Sequence, residues 1–207
     1  MARKQVFTKH RSLFDRNVPG TTAVLAKKTV AVAGCGGLGS TAAIALVRAG
    51  VGHLIIADFD RVEASNLNRQ QYFTGDIGRK KTAALSAHLK KINPSLKIVC
   101  VDKMLGPKDI QKLFTKADLM IEAFDRAESK QWLIEAWTQA FPDRPVICGN
   151  GLAGIGNTET LRVVKFSDNV YFCGDGKSDM SIGLCSARVA IVANMQANTA
   201  ISLLVQK

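Results

Sequence analysis

Residues 29–50 read TVAVAGCGGLGSTAAIALVRAG, and how this run divides decides the fold. Positions 29–33 are small and β-branched apolar residues ending at a glycine, the pattern of a short buried strand. Positions 38–49 space their apolar residues as one face of a helix. Between them, Gly34-Cys-Gly-Gly-Leu-Gly39 lets the backbone turn tightly from strand into helix and come close to a ligand. A helix that opens this way presents unpaired N–H groups and partial positive charge, which suits phosphate. Gly34, Gly36, Gly37 and Gly39 are therefore the first candidates to line a nucleotide.

The alternation continues outward from this unit. Further strands are expected at 53–57, 96–101, 119–123 and 146–148, with helices at 79–92, 107–114 and 128–141. Asn93-Pro94 stops one helix, and Pro142 and Pro145 bracket the approach to the fifth strand. Strands alternating with amphipathic helices give an α/β fold, Rossmann-like and doubly wound, with a mainly parallel sheet and helices on both faces. From Thr158 the pattern changes: 158–165 alternates as a strand, 170–181 reads as irregular, and a last helix over 183–205 packs back on the sheet. No linker divides the chain, so 1–207 is expected to be one domain: an N-terminal arm over 1–28, a nucleotide-binding core over 29–157, and a strand, crossover-loop and helix extension over 158–207.

At 207 residues and 47% hydrophobic, the chain can bury one full core but hardly two. Its charged start lacks the apolar run of a secretory signal, and its apolar C-terminal stretch is broken by Arg188, Asn194, Gln196 and Asn198, against a membrane span. The expected compartment is the cytoplasm. Five cysteines stand singly, without the paired spacing of a zinc site. A formal net charge of +11 favours acidic partners, but the basic residues are spread along the chain rather than packed into a tract, which argues against nucleic acid.

In open α/β sheets ligands lie beyond the carboxyl ends of the strands. The positions that follow the expected strands are the glycine loop, Asp58 with Asp60, Asp125, and Gly149-Asn-Gly151. Asp58 is placed to accept ribose hydroxyls. Arg69 and Lys81 add cationic donors that a dinucleotide fold does not need, whereas a triphosphate losing pyrophosphate does, because charge builds on the leaving group. Asp125 then fits as a magnesium carboxylate. The plainer alternatives are a solvated face for Arg69, Lys80 and Lys81, and a helix cap for Asp125. An NAD-binding oxidoreductase or sensor would use the glycine loop and Asp58 but leave Arg69, Lys81 and Asp125 without a role.

The chain resembles the ThiF, MoeB and HesA family, bacterial relatives of ubiquitin-activating enzymes. The resemblance rests on Gly34-Cys-Gly-Gly-Leu-Gly39, Ala57-Asp-Phe-Asp60, Ser65-Asn-Leu-Asn-Arg-Gln70, Ile77-Gly-Arg-Lys-Lys81, Ile92-Asn-Pro94 and Glu122-Ala-Phe-Asp125, in order from about Leu25 onward. It implies an ATP- and magnesium-dependent adenylyltransferase acting on the C-terminal glycine of a small ubiquitin-like carrier ending in Gly-Gly. By position it implies that Gly36 and Gly39 line the nucleotide, Asp58 holds ribose, Asn66, Arg69 and Lys81 face phosphates, and Asp125 holds magnesium; Asp60 and Gln70 belong to the same lining. Gly149-Asn-Gly-Leu-Ala-Gly-Ile-Gly156, Tyr171-Phe-Cys-Gly-Asp175 and 187–194 are similar to short ThiF proteins that activate the sulfur carrier ThiS for thiamine thiazole synthesis. The resemblance further implies a homodimer, with Arg16 or Arg11 reaching the partner's phosphates, and a sulfur donor acting through a loop cysteine, for which Cys173 and Cys185 are the candidates. Two departures stand out: the zinc-binding cysteine pairs of many relatives are missing, so no structural zinc is expected, and Arg126 replaces the asparagine that often follows the magnesium aspartate. A related alternative is a ThiF-like enzyme that adenylates a carboxylate carried on tRNA.

Overall fold

The computed structural model describes residues 12–206. Seven strands form one sheet in the order β3-β2-β1-β4-β5-β7-β6. They are β1 Thr29–Ala33, β2 His53–Ala57, β3 Lys97–Val101, β4 Leu119–Glu122, β5 Val146–Gly149, β6 Arg162–Lys165 and β7 Val170–Gly174. Every pairing is parallel except that of β6 with β7. The helices are α1 Thr21–Leu25, α2 Gly37–Ala49, α3 Lys81–Ile92, α4 Pro107–Phe114, α5 Ala127–Ala140 and α6 Ser186–Val205. The order of strands reverses direction between β1 and β4, which opens a crevice beyond their carboxyl ends.

Alternation along β1 shows why both faces are covered. Val30 and Val32 point into one core with Leu46 of α2, Leu85 and Leu89 of α3, and Val192 of α6, while Ala31 and Ala33 join the other with Ile110 and Phe114 of α4 and Leu133 and Trp137 of α5. A strand buried on both sides must be apolar throughout, as TVAVA is. The 20-residue α6 is long and apolar enough to cross a membrane by composition, but it packs along α2 and β5 and buries Val189, Val192, Ala193 and Gln196.

Two expectations are corrected in the C-terminal region. Residues 170–174, read as irregular, form β7, which lies parallel beside β5 and antiparallel to β6. The last helix starts at Ser186 rather than 183, because Met180–Ile182 makes a 3-10 turn capped by the Asp179 carboxylate and Leu184 bridges to Gly154. Likewise α3 starts at Lys81 rather than 79, since Lys80 is still in an isolated β-bridge with Arg61.

Candidate functional site

The glycine loop is held by close backbone approach. Gly34 has φ +97°, and a Cβ there would lie 2.6 Å from the Ala123 carbonyl oxygen at the end of β4. A Cβ on Gly39 would fall 1.8 Å from the Gly34 carbonyl oxygen, so the first turn of α2 can close on the loop only because neither residue has a side chain. Gly36 is different: a Cβ there would meet nothing nearer than Gln70 Nε2 at 3.8 Å, so this loop surface is open. Gly36 is also the cap residue of α2, with no side chain bonded to the helix N–H groups.

Asp58, at the end of β2, ties the loop to the next strand: its carboxylate accepts the Cys35 N–H at 2.6 Å and the Asp60 N–H at 2.8 Å. Burial raises its pKa, an effect those two bonds and the nearby Lys81 oppose. Lys81 is almost fully buried, its ammonium 2.7 Å from the Asp60 carboxylate and its backbone N–H donated to the Asp60 carbonyl. Arg69 packs beside Gly37, its Cγ 3.5 Å from where a Cβ would stand, and its guanidinium donates to Asn68 Oδ1 at 2.7 Å and the Ser65 carbonyl at 3.2 Å. Gln70 is buried against the same loop, and its Oε1 has no hydrogen-bond partner. An orphaned acceptor beside an open glycine turn fits a ligand that supplies donors there.

Asp125 stands exposed on the turn after β4, next to the Ala123 carbonyl that abuts Gly34. It does not cap α5, whose cap residue is Arg126 and has no side-chain cap bond. Among the described residues no three histidines, cysteines or carboxylates gather as a metal cluster. A single exposed carboxylate fits magnesium in the mode where phosphate oxygens and water complete the coordination.

Three expected residues are placed elsewhere. Asn66 is buried in its own 3-10 turn, where Oδ1 accepts the Glu63 N–H and Nδ2 lies 3.4 Å from Ser65 Oγ, so its oxygen shapes the Arg69 loop. Cys173 is fully buried in β7, and burial pushes its thiol up to about 12, the reverse of what a nucleophilic cysteine needs. Arg16 lies beside Asn17, which bonds to the Ala49 carbonyl at the far end of α2, remote from this chain's own crevice. Arg11 lies outside the described residues.

Two polar pairs carry the site's frame; the motifs include Glu122, Asp175 and Arg188 but give these residues no role. Glu122, fully buried at the end of β4, accepts the Phe124 N–H at 2.6 Å and the Lys130 ammonium at 2.9 Å, which fixes the turn that presents Asp125. Burial raises the Glu122 pKa against the pull of Lys130. An acidic residue closing a buried strand was the available signal, as at Asp58. Arg188, buried near the start of α6, binds the Asp175 carboxylate at 2.6 Å and also the Gly156 carbonyl. Burial acts to raise the Asp175 pKa, but N–H bonds from Ser178 and Lys177 together with Arg188 bring it down to about 2. A cavity of about 310 Å³ lies beside this pair, lined by Ala153, Ile155, Arg162 and Ile182 among others.

The chain has relatives among known proteins. The chain is 29% identical to the sulfur carrier protein ThiS adenylyltransferase of Escherichia coli K12 over 182 residues, covering 84% of this chain and 71% of that protein. It is 29% identical to the adenylyltransferase and sulfurtransferase MOCS3 of Drosophila sechellia, spanning only 41% of that longer protein. A stretch of 118 residues, 56% of this chain and 45% of the relative, is 34% identical to the tRNA threonylcarbamoyladenosine dehydratase of Haemophilus influenzae. In structure the chain matches E. coli TcdA, a tRNA N6-threonylcarbamoyladenosine dehydratase solved with AMP, at a TM-score of 0.84 and 20% identity, covering 96% and 95% of the two chains. It matches E. coli MccB solved with ATP at 0.71 and 20% identity, over 89% and 57%. The ThiF family model matches residues 11–207, essentially the whole described chain, and on that match the protein belongs to the ThiF family.

Proposed function

We propose that this chain is an ATP-dependent adenylyltransferase that activates the C-terminal glycine carboxylate of a small ubiquitin-like sulfur carrier of the ThiS kind, for thiamine thiazole biosynthesis. The observation that carries the reading is the packing of Arg69 against the glycine loop, with Lys81 held beside Asp58 and Asp60. A hydride-transfer site has no use for two such cations. The carrier reading is supported by the likeness to the ThiS adenylyltransferase over 84% of the chain.

In the reaction a carboxylate oxygen attacks the α-phosphorus, a C–O–P bond forms, and the bond to the β-phosphate breaks with its electrons leaving on pyrophosphate. No proton is transferred, so positioning and charge neutralisation suffice. The loop N–H groups at the α2 start would line the phosphates, the Gln70 Oε1 would accept from a hydroxyl or amino group of the nucleotide, and Asp58 would hold the ribose. Arg69 and Lys81 would take up the charge that develops on the leaving pyrophosphate, Lys81 exchanging Asp60 for phosphate oxygens. Magnesium, held by Asp125 together with the triphosphate, supplies further neutralisation when bound. The cavity by Arg188 and Asp175 suits an extended carrier tail entering from the C-terminal extension. A homodimer, with Arg16 or Arg11 crossing to the partner, belongs to the same proposal.

The test is ATP–pyrophosphate exchange with magnesium and a carrier ending in Gly-Gly, with mass spectrometry for an AMP adduct on the carrier's last residue. Asp125→Ala should abolish exchange; unchanged exchange in that variant removes the metal assignment. The 34% identity to a tRNA threonylcarbamoyladenosine dehydratase over 118 residues supports a second reading, in which the substrate is a carboxylate on modified tRNA. AMP transfer to tRNA, with none to any carrier, would select it.

A further inference from the structure

In the sheet Glu122 of β4 stands between Ala33 of β1 and Cys148 of β5. Both neighbours are buried and belong to the core beneath α5, with Met120 and Val146. Glu122, two residues beyond Met120 on the strand, points to that same face and is fully buried. An ion pair at this level is a poor way to stabilise a fold, because apolar residues of similar volume do as well or better. The Glu122–Lys130 pair therefore needs a reason other than stability.

What the pair encloses supplies one. Lys130 Nζ lies 2.9 Å from Glu122 Oε2 and 3.2 Å from Oε1, and the Phe124 N–H donates to Oε1 at 2.6 Å. A single carboxylate thus holds the residue before Asp125 and the first turn of the helix after it. From the opposite face Gln196 of α6 donates its Nε2 to the Glu122 carbonyl at 2.9 Å and to the Ile147 carbonyl at 3.0 Å. The Ala123 N–H is donated to the Ala33 carbonyl, and the Ala123 carbonyl abuts Gly34 with no room for a Cβ. The base of the turn is locked to the glycine loop by these backbone contacts. The Glu122 carboxylate, with Lys130, sets where the turn then carries Asp125.

That setting matters more here than at a site with several acidic ligands. Among the described residues no three histidines, cysteines or carboxylates gather, so the protein's hold on magnesium falls to one carboxylate. Magnesium demands near-ideal octahedral geometry and tolerates little error in where that carboxylate stands. We propose that Glu122 and Lys130 are positioning residues for magnesium: acting through Asp125, the pair sets the affinity for the metal without supplying a ligand to it. The inference rests on the assignment of magnesium to Asp125 and is indifferent to whether the acyl substrate is a carrier or a tRNA. A pair that only held the fold together would leave the metal's affinity alone.

Removing Lys130 by itself would leave a buried carboxylate unpaired and endanger the fold. Glu122→Gln/Lys130→Met removes both charges together and keeps an amide oxygen to accept the Phe124 N–H. Glu122→Asp keeps both charges and shortens the reach by one methylene. The experiment is calorimetric titration of the full chain with ATP, across a magnesium series and in EDTA, which reads metal affinity with no turnover involved. In the double variant the apparent magnesium affinity should fall about ten- to hundredfold, while ATP affinity in EDTA stays that of the parent. Glu122→Asp should shift in the same direction. A parental magnesium response in either folded variant overturns the proposal, as does an equal loss of ATP affinity in EDTA, which would mean a distorted nucleotide pocket. No magnesium response in the parent would remove the Asp125 assignment and this inference with it. A response lost in Asp125→Asn but kept in the double variant would remove this inference alone.

Discussion

Arg69 and Cys173 show how much a single side chain's surroundings decide. Arg69 is packed on the glycine loop with its guanidinium held by Asn68 and the Ser65 carbonyl, a geometry that pre-orients a donor. Removing one such donor to transition-state charge costs about 3 kcal/mol. Arg69→Ala should therefore lower exchange turnover by two to three powers of ten in order of magnitude while leaving the fold intact by circular dichroism. Cys173 has the opposite character, a thiol pushed up to about 12 by burial in β7. Cys173→Ala should keep exchange within a few-fold of the parent; complete loss with a folded protein would restore a chemical role to it.

At the level of elements, the Asp175–Arg188 pair joins the loop after β7 to α6 and, through the Gly156 carbonyl, to the loop after β5. Asp175 is depressed from 3.8 to about 2, so its ionised form is favoured in the folded state. Its contribution, about 2 kcal/mol, is fully present above about pH 4 and disappears as pH falls towards 2. Urea unfolding measured between neutral pH and pH 2 should show Asp175→Asn less stable than the parent at the upper end, the gap narrowing on acidification. A gap that stays constant would mean the pair contributes through shape alone. The glycine turn belongs to this scale too. Gly39→Ala places a methyl group on the Gly34 carbonyl and should shift the start of α2, with loss of ATP binding measured by calorimetry.

Over the whole molecule, one sheet carries two cores, so ligand binding at its carboxyl edge should stabilise both together. ATP at about 100 times its Kd adds about 2.7 kcal/mol, which for a chain of this size is a rise in Tm of roughly 5–10 °C. NADH should give no rise; a rise with NADH and none with ATP would return the chain to the oxidoreductase reading.

What the sequence by itself determined is what short-range pattern can encode: the alternation of strand and helix, the glycine turn, and the set of residues following each strand, because periodicity and backbone freedom are local properties. β7 escaped it because Val170–Gly174 is a short run followed by turn residues, and only its place beside β5 and β6 makes it a strand. The tertiary structure alone decided the buried Glu122–Lys130 and Asp175–Arg188 pairs, the inward turn of Asn66 and the burial of Cys173. Burial and ion pairing are set by residues distant along the chain, and a linear pattern holds no measure of that distance in space.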